Sequence, residues 1–277
     1  MIRRHELSDA EWEFVRPLLP ESLRGRKRLD DRRVLNGIVW KFRTGTAWRD
    51  VPERYGPWAT LHTRFRRWAM DGTFDRMLRA AQAKADAAGD VEWLVSVDST
   101  VVRAHQHAAG ARKGGLCDPA LGRSRGGLTS KVHLACDGRG RPLGFVLTGG
   151  NTNDCTRFTA VMEAIRVPRI GPGRPRVRPD HVLGDKGYSS KAIRTWLRRR
   201  GIAHTIPERA DQVRNRARRG SRGGRPPAFD REAYKHRNVV ERCFNRLKQW
   251  RGIATRYDKT AESYEAAVTL ASLLMWA

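Results

Sequence analysis

Near the C-terminal end, residues 234–250 read "YKHRNVVERCFNRLKQW", and Tyr234, Arg237, Glu241, Asn245 and Lys248 follow one another at spacings of three, four, four and three. At 3.6 residues per turn these side chains share one polar helix face, beside an apolar stripe of Val240, Phe244 and Leu247. Two further acids follow extended stretches upstream, Asp98 closing "WLVSVD" and Asp185 in "GDKG". Each has a plain alternative. Asp98 and Asp185 could be turn formers, and Glu241 an ordinary i,i+4 partner of Arg237. Taken together they suggest phosphoryl transfer, because hard oxygen ligands hold two Mg²⁺ ions roughly 4 Å apart, one activating the attacking oxygen and one steadying the leaving oxygen. Carboxylates brought together without a cation would repel one another and raise each other's pKa.

Such a cluster needs a scaffold and a substrate, and the composition points to the substrate. The 277 residues hold 55 Lys and Arg against 29 Asp and Glu, a net charge of +26. Codon bias explains Arg in place of Lys but not the shortage of acids, so the economical partner is a polyanion, nucleic acid before an acidic membrane surface. Cys117, Cys136, Cys155 and Cys243 form no CxxC pair and have no ligand-like spacing to His, as expected of free thiols in a reducing compartment. The N-terminal stretch lacks an apolar signal region and no run is long enough to span a bilayer, so a cytoplasmic, nucleoid-associated protein is expected.

The first 88 residues read as helices. Ser8 and Glu11 form a capping box, with Leu7 and Trp12 placed as a hydrophobic staple. A second helix is predicted from about Asp31 to Arg43 and a third from about Trp58 to Trp68. In the third, Leu61, Phe65 and Trp68 face inward and His62, Arg64, Arg66 and Arg67 are available outside. A fourth covers Phe74 to Ala87. A short, basic, helical unit of this kind is helix-turn-helix-like, with the third helix as the natural DNA reader; the alternative is a helical cap packed on the next domain. The period turns extended at "DVEWLVSVDST", which places a domain boundary near Gly89.

Beyond that boundary a strand ends at Asp98, and a His, Gly and Arg stretch from Arg103 to Gly127 reads as loop. "TSKVHLACD" and "PLGFVLTGG" form an antiparallel hairpin about the "DGRG" turn at 137–140. A helix near Thr156, a strand before Asp185, a helix from Ser190 and a strand at "AHTIP" follow. Residues 209–228 form an arginine-rich linker with no apolar periodicity, which should be disordered on its own. The polar-striped helix begins after Asp230, and an apolar helix from Thr260 closes the chain. The fold class is therefore α/β: a ribonuclease H-like mixed-sheet catalytic domain at 89–277, preceded by a small all-helical domain at 1–88.

The motifs also carry a resemblance. Tyr234, Arg237, Glu241 and Lys248 reproduce the Y(2)R(3)E(6)K signature of bacterial insertion-sequence transposases with a DDE triad. "LSDAEWEFVRPLLP", "GTAWRDVPERYGPW", "VDSTVVRAHQHAAGARKGG", "SKVHLACDGRGRPLGFVLTGGNTND" and "GDKGYSS" resemble, in order, blocks of insertion sequence family five. The resemblance implies that Asp98, Asp185 and Glu241 are catalytic and bind two Mg²⁺, with Mn²⁺ as a substitute. It implies that water cuts the phosphodiester at each transposon end and that the freed 3′ hydroxyl then attacks target DNA. Tyr234, Arg237 and Lys248 would hold end phosphates, chemistry suited to a phenol, a planar guanidinium and an ammonium. Double-stranded DNA would be the partner, bound by at least a homodimer on paired ends. The spacing of Asp185 and Glu241 leaves no room for the large β-rich insertion of some hairpin-forming relatives.

Asn245 continues the DNA-facing stripe. His105 and His107 could touch DNA or order their loop, and ligand spacing argues against zinc. Arg123, Arg125 and Lys131 are expected at phosphates; Arg214, Arg216, Arg218 and Arg219 add salt-dependent backbone affinity. Asn151, Asn153 and Asp154 shape the rim. A nuclease that cleaves without joining, and a regulator that only binds DNA, are the rival readings.

Overall fold

The computed structural model describes residues 4–20, 29–109, 120–124 and 126–277. Arg125, Cys117 and the basic stretch "RGRKR" lie outside the described residues. In the helical region α1 (Asp9–Val15) starts with the expected box: Ser8 Oγ accepts from Glu11 N at 3.0 Å and Glu11 Oε2 accepts from Ser8 N at 2.7 Å. Helix α2 (Asp31–Thr44) is capped by Asp30 and stopped by Gly45 at φ 73°, and its Val34, Leu35, Ile38, Val39 and Phe42 are fully buried. Helices α3 (Trp58–Met70) and α4 (Thr73–Ala87) follow. One expectation for α3 fails. Arg64 is buried, because position 64 lies three residues after Leu61 and four before Trp68; its Nη1 donates to Asp31 at 2.8 Å. His62 is half-buried with its ring 5.3 Å from that of Trp48, while Arg66 and Arg67 are exposed.

A mixed sheet follows. Strand β1 (Leu94–Ala104) pairs antiparallel with β3 (Gly127–Cys136), which pairs antiparallel with β4 (Pro142–Gly149) and with β2 (Gly122–Ser124). On its other side β1 pairs parallel with β5 (His181–Gly184) and β7 (Thr255–Arg256), and β5 pairs parallel with β6 (Ala203–Thr205). Three antiparallel strands joined to parallel ones through a central first strand give the ribonuclease H-like sheet. Among the described residues of the stretch expected as loop from Arg103 to Gly127 there is regular structure: β1 runs on to Ala104, a single turn α5 (Gln106–Ala109) follows, and β2 extends the hairpin. β-branched Thr100, Val101 and Val102 carry the strand past the acid.

Helix α6 (Asp154–Ala164) lies on β3 and β4, and α7 (Lys191–Arg199) precedes β6. Residues 209–228 are not disordered. Helix α8 (Ala210–Arg218) and a 3₁₀ turn at Gly220–Gly223 occupy them. Tertiary moorings replace the missing apolar stripe: Arg209 donates to the carbonyls of Lys186 and Gly187, both at 3.1 Å, and Gln212 Nε2 to that of Ser189 at 2.9 Å. The polar-striped stretch is broken into α9 (Arg231–Lys235), a 3₁₀ turn at His236–Asn238 and α10 (Val239–Lys248). Helix α11 (Arg251–Ala254) packs on α2, and the buried closing helix α12 (Ala261–Leu273) packs on α3 and α4, so helical region and sheet share a continuous apolar core. Among the described residues no helix is long and apolar enough to cross a membrane.

Candidate active site

Three elements bring the acids together. Asp98 sits mid-way along β1, opposite Leu134 of β3, with its side chain 17% exposed. Its Oδ1 accepts from Ser99 N at 2.8 Å and its Oδ2 from Arg237 Nη2. Asp185 follows β5 and caps the 3₁₀ turn Lys186–Tyr188, its Oδ1 accepting from Gly187 N at 2.7 Å. Glu241 lies in the first turn of α10, where its Oε1 accepts from Arg237 Nη1 at 3.0 Å. Buried Val240, Cys243, Phe244 and Leu247 press the opposite face of α10 toward the sheet, and so turn Glu241 outward. Arg237 is therefore not free to meet a phosphate; it bridges the first and third acids.

The electrostatics reflect the proximity of all three. Burial pushes the Asp98 carboxyl up to about 6, with the negative charges of Asp185 and Glu241 adding and the Ser99 N–H and Arg237 opposing. Tyr234 is half-buried, and burial raises its phenol while Arg237 lowers it and Asp185 and Asp98 raise it. Near the acids the Tyr188 hydroxyl is buried without a hydrogen-bond partner among the described residues; burial, then Asp98, Asp154 and Asp185, hold its proton tightly. Lys248 Nζ donates to the Val101 carbonyl at 3.3 Å, and Asn245 is exposed.

Among the described residues no three His, Cys, Asp or Glu side chains form a ready-made metal cage. The donor set nonetheless suits a hard divalent cation: it is all oxygen, its members repel one another, and a guanidinium already supplies positive charge between two of them.

A fourth acid belongs to this site. Asp154 Oδ1 accepts from Ser99 Oγ at 2.7 Å and Lys131 Nζ at 3.1 Å, and lies 3.6 Å from His133 Nδ1. Ser99 thus joins Asp154 to Asp98. Lys131 is 12% exposed and also donates to the Thr152 carbonyl at 2.7 Å, so it is spent on the rim and not offered to phosphates. The sequence signal was the Asn153 cap that sets Asp154 in the first turn of α6. His105 packs its ring 4.9 Å from Tyr257 and 4.4 Å from His107 at the end of β1, which orders that segment. Arg123 is exposed on β2.

The raised Asp98 has a consequence for stability. An acid whose folded pKa exceeds its unfolded value of about 3.9 favours the protonated fold, so its contribution is full at low pH and is lost as pH rises through about 6. Asp98→Asn mimics the protonated acid. In chelator the variant is expected to be more stable than wild type at pH 7 by about 2–3 kcal/mol, and to show little difference near pH 4. Urea midpoints at the two pH values check this; an equal difference at both would refute it.

Comparison with known proteins gives the family. Residues 89–276 match the family model "Transposase DDE domain" and residues 7–78 match "Putative transposase of IS4/5 family (DUF4096)". The chain belongs to the DDE transposase family of insertion sequences. It is 43% identical over 109 residues to "Uncharacterized protein y4sN" of Sinorhizobium fredii, covering 39% of this chain and 83% of the relative. It is 35% identical over 146 residues to "Putative transposase for insertion sequence element IS402" of Burkholderia cepacia, covering 53% and 62% respectively. A similar match to "Putative transposase for insertion sequence element IS6501" of Brucella ovis is 30% identical over 149 residues and covers 54% of this chain and 98% of that one. No solved structure matches. DDE transposases are nucleotidyl-transfer enzymes that act on DNA and use divalent metal ions.

Proposed function

We propose that this transposase binds the terminal inverted repeats of its insertion sequence, hydrolyses the phosphodiester at the transposon ends and joins the freed 3′ hydroxyls to target DNA. The observation that carries the reading is that Arg237 bridges Asp98 of β1 and Glu241 of α10, with Asp185, at the end of β5, near enough for its charge to raise the Asp98 carboxyl. Asp98, Asp185 and Glu241 would hold two Mg²⁺ ions, or Mn²⁺ in their place, which supply Lewis acidity at phosphorus in both steps. The protein's own groups position the DNA. Arg237, drawn from the carboxylates to a phosphate, keeps the same charge balance with DNA present, and Tyr234 and Lys248 flank it on one face. Ser99, tied to Asp154, holds Asp98 in one rotamer.

Residues 1–88 act as the helix-turn-helix-like end reader, through Arg66 and Arg67 of α3, and residues 89–277 as the catalytic domain. His62 is half-buried and Arg64 buried, so they support that helix rather than meet DNA. Joining two ends to one target needs two active sites, so at least a dimer assembles on paired ends. Labelled duplexes carrying the gene's own flanking ends test the reading. With Mg²⁺ the wild-type chain is expected to nick at the end and join it to a target. Specific binding with no nicking in Mg²⁺ or Mn²⁺ would leave only a DNA-binding protein, and nicking without joining would leave a nuclease.

A further inference from the structure

A groove of 1390 Å³ opens between α7, the edge strand β6 and the arginine-rich α8, and runs from Ser189, just past the Asp185 turn, to Asp230, the cap of α9. Among the described residues its walls carry Lys191, Arg194, Arg198, Arg216, Arg219 and Arg225 against two acids. Both acids are already committed. Glu208 is paired with Arg216, and Asp230 Oδ1 accepts from Ala233 N at 3.0 Å. Lys191, Arg198, Arg219 and Arg225 are exposed, and among the described residues none is ion-paired with a carboxylate.

Arg194 lines the same groove at 8% exposure. Its Nη2 donates to the Ile206 carbonyl at 2.7 Å, whereas its Nη1 is buried with no partner among the described residues. A buried charged donor left unsatisfied forfeits its hydration without compensation, and the unpaired cations around it repel one another. An anion in the groove would offset this concentration of positive charge. The volume exceeds the usual range of about 300–1,000 Å³ for small-molecule pockets, and the lining is cationic rather than apolar, so an extended polyanion fits better than a small ligand. Gln212, a residue type able to read a base edge, is instead spent on Arg209 N at 3.2 Å and the Ser189 carbonyl.

We infer that this groove takes the phosphodiester backbone of DNA continuing beyond the reacting phosphate. Its adjacency to the acids is built in, because Arg209 and Gln212 moor α8 to the turn that Asp185 begins. The inference rests on the transposase reading for the source of that DNA, which is either the flank of the transposon end or the target duplex.

The full chain carrying Lys191→Ala, Arg198→Ala and Arg225→Ala tests it; all three side chains are exposed, and an unchanged melting temperature checks the fold. Binding to a short duplex of unrelated sequence is followed by anisotropy against salt. Each phosphate contact contributes about −0.9 to the slope of log K against log salt, so loss of three should flatten it by about 2.7. An unchanged slope overturns the groove. Reduced joining of flankless pre-cut ends then assigns the groove to target DNA, and reduced nicking confined to ends that carry a flank assigns it to the flank. No change in either reaction, whatever the slope, overturns its place beside the reacting phosphate. A wild-type chain that neither nicks nor joins, with the flattened slope in the variant, would instead remove the transposase reading and leave a DNA-binding groove.

Discussion

Asp185→Asn and Glu241→Gln chains are expected to bind end duplexes like wild type and to nick and join them at least about 10³-fold more slowly, equivalent to about 4 kcal/mol of transition-state stabilisation. The fold has little reason to change. In Asp185→Asn the amide oxygen would still accept from Gly187 N, and in Glu241→Gln it would still face Arg237 Nη1. Only charge is lost, and charge is what holds a divalent cation against its hydration shell. Single-turnover cleavage with Mg²⁺ and with Mn²⁺ measures the effect; rates within about tenfold of wild type would remove these acids from the reaction. Asp98→Asn should be equally slow yet more stable, so loss of activity and loss of fold would move in opposite directions at that position.

Arg141→Ala is expected to destabilise the chain by about 3–5 kcal/mol. At the β3–β4 turn Asp137 is fully buried, and Arg141 donates to its Oδ2 through Nε at 2.9 Å and Nη2 at 2.7 Å. The same guanidinium reaches Asp90 Oδ2 at 2.5 Å and lies 4.2 Å from the Trp276 ring. One side chain thus ties the hairpin to the segment before β1 and to the end of the chain. Removing it leaves the Asp137 charge buried and uncompensated. Urea unfolding followed by tryptophan fluorescence measures the loss; a change under about 1 kcal/mol, well short of what breaking a buried pair costs, would mean that water replaces the guanidinium.

How much of this is legible in the sequence differs from residue to residue. The capping box at Ser8 and Glu11, the hairpin about Asp137–Gly140 and the buried stripe of α2 are set by neighbours three or four positions away or by a tight turn, and each forms as expected. The helix within 209–228 escapes a local reading because it is held by bonds to the carbonyls of Lys186, Gly187 and Ser189, residues more than 20 positions upstream. Arg64 escapes it because a charged side chain in an otherwise apolar stripe looks exposed until its partner, Asp31 on the neighbouring helix, is in place.

The sequence by itself determined which acids and bases could act together, since residue type and helical spacing are local properties and the family's motifs occur in order along the chain. Only the tertiary structure decided what each one touches. It placed Arg237 between Asp98 and Glu241, withdrew Lys131 to the rim, tied the rim acid Asp154 to Ser99 and folded the arginine-rich stretch over a groove. These contacts join elements far apart in the chain. Their energies depend on desolvation and on charges brought close by packing, and neither quantity exists until the sheet and its helices have closed around them.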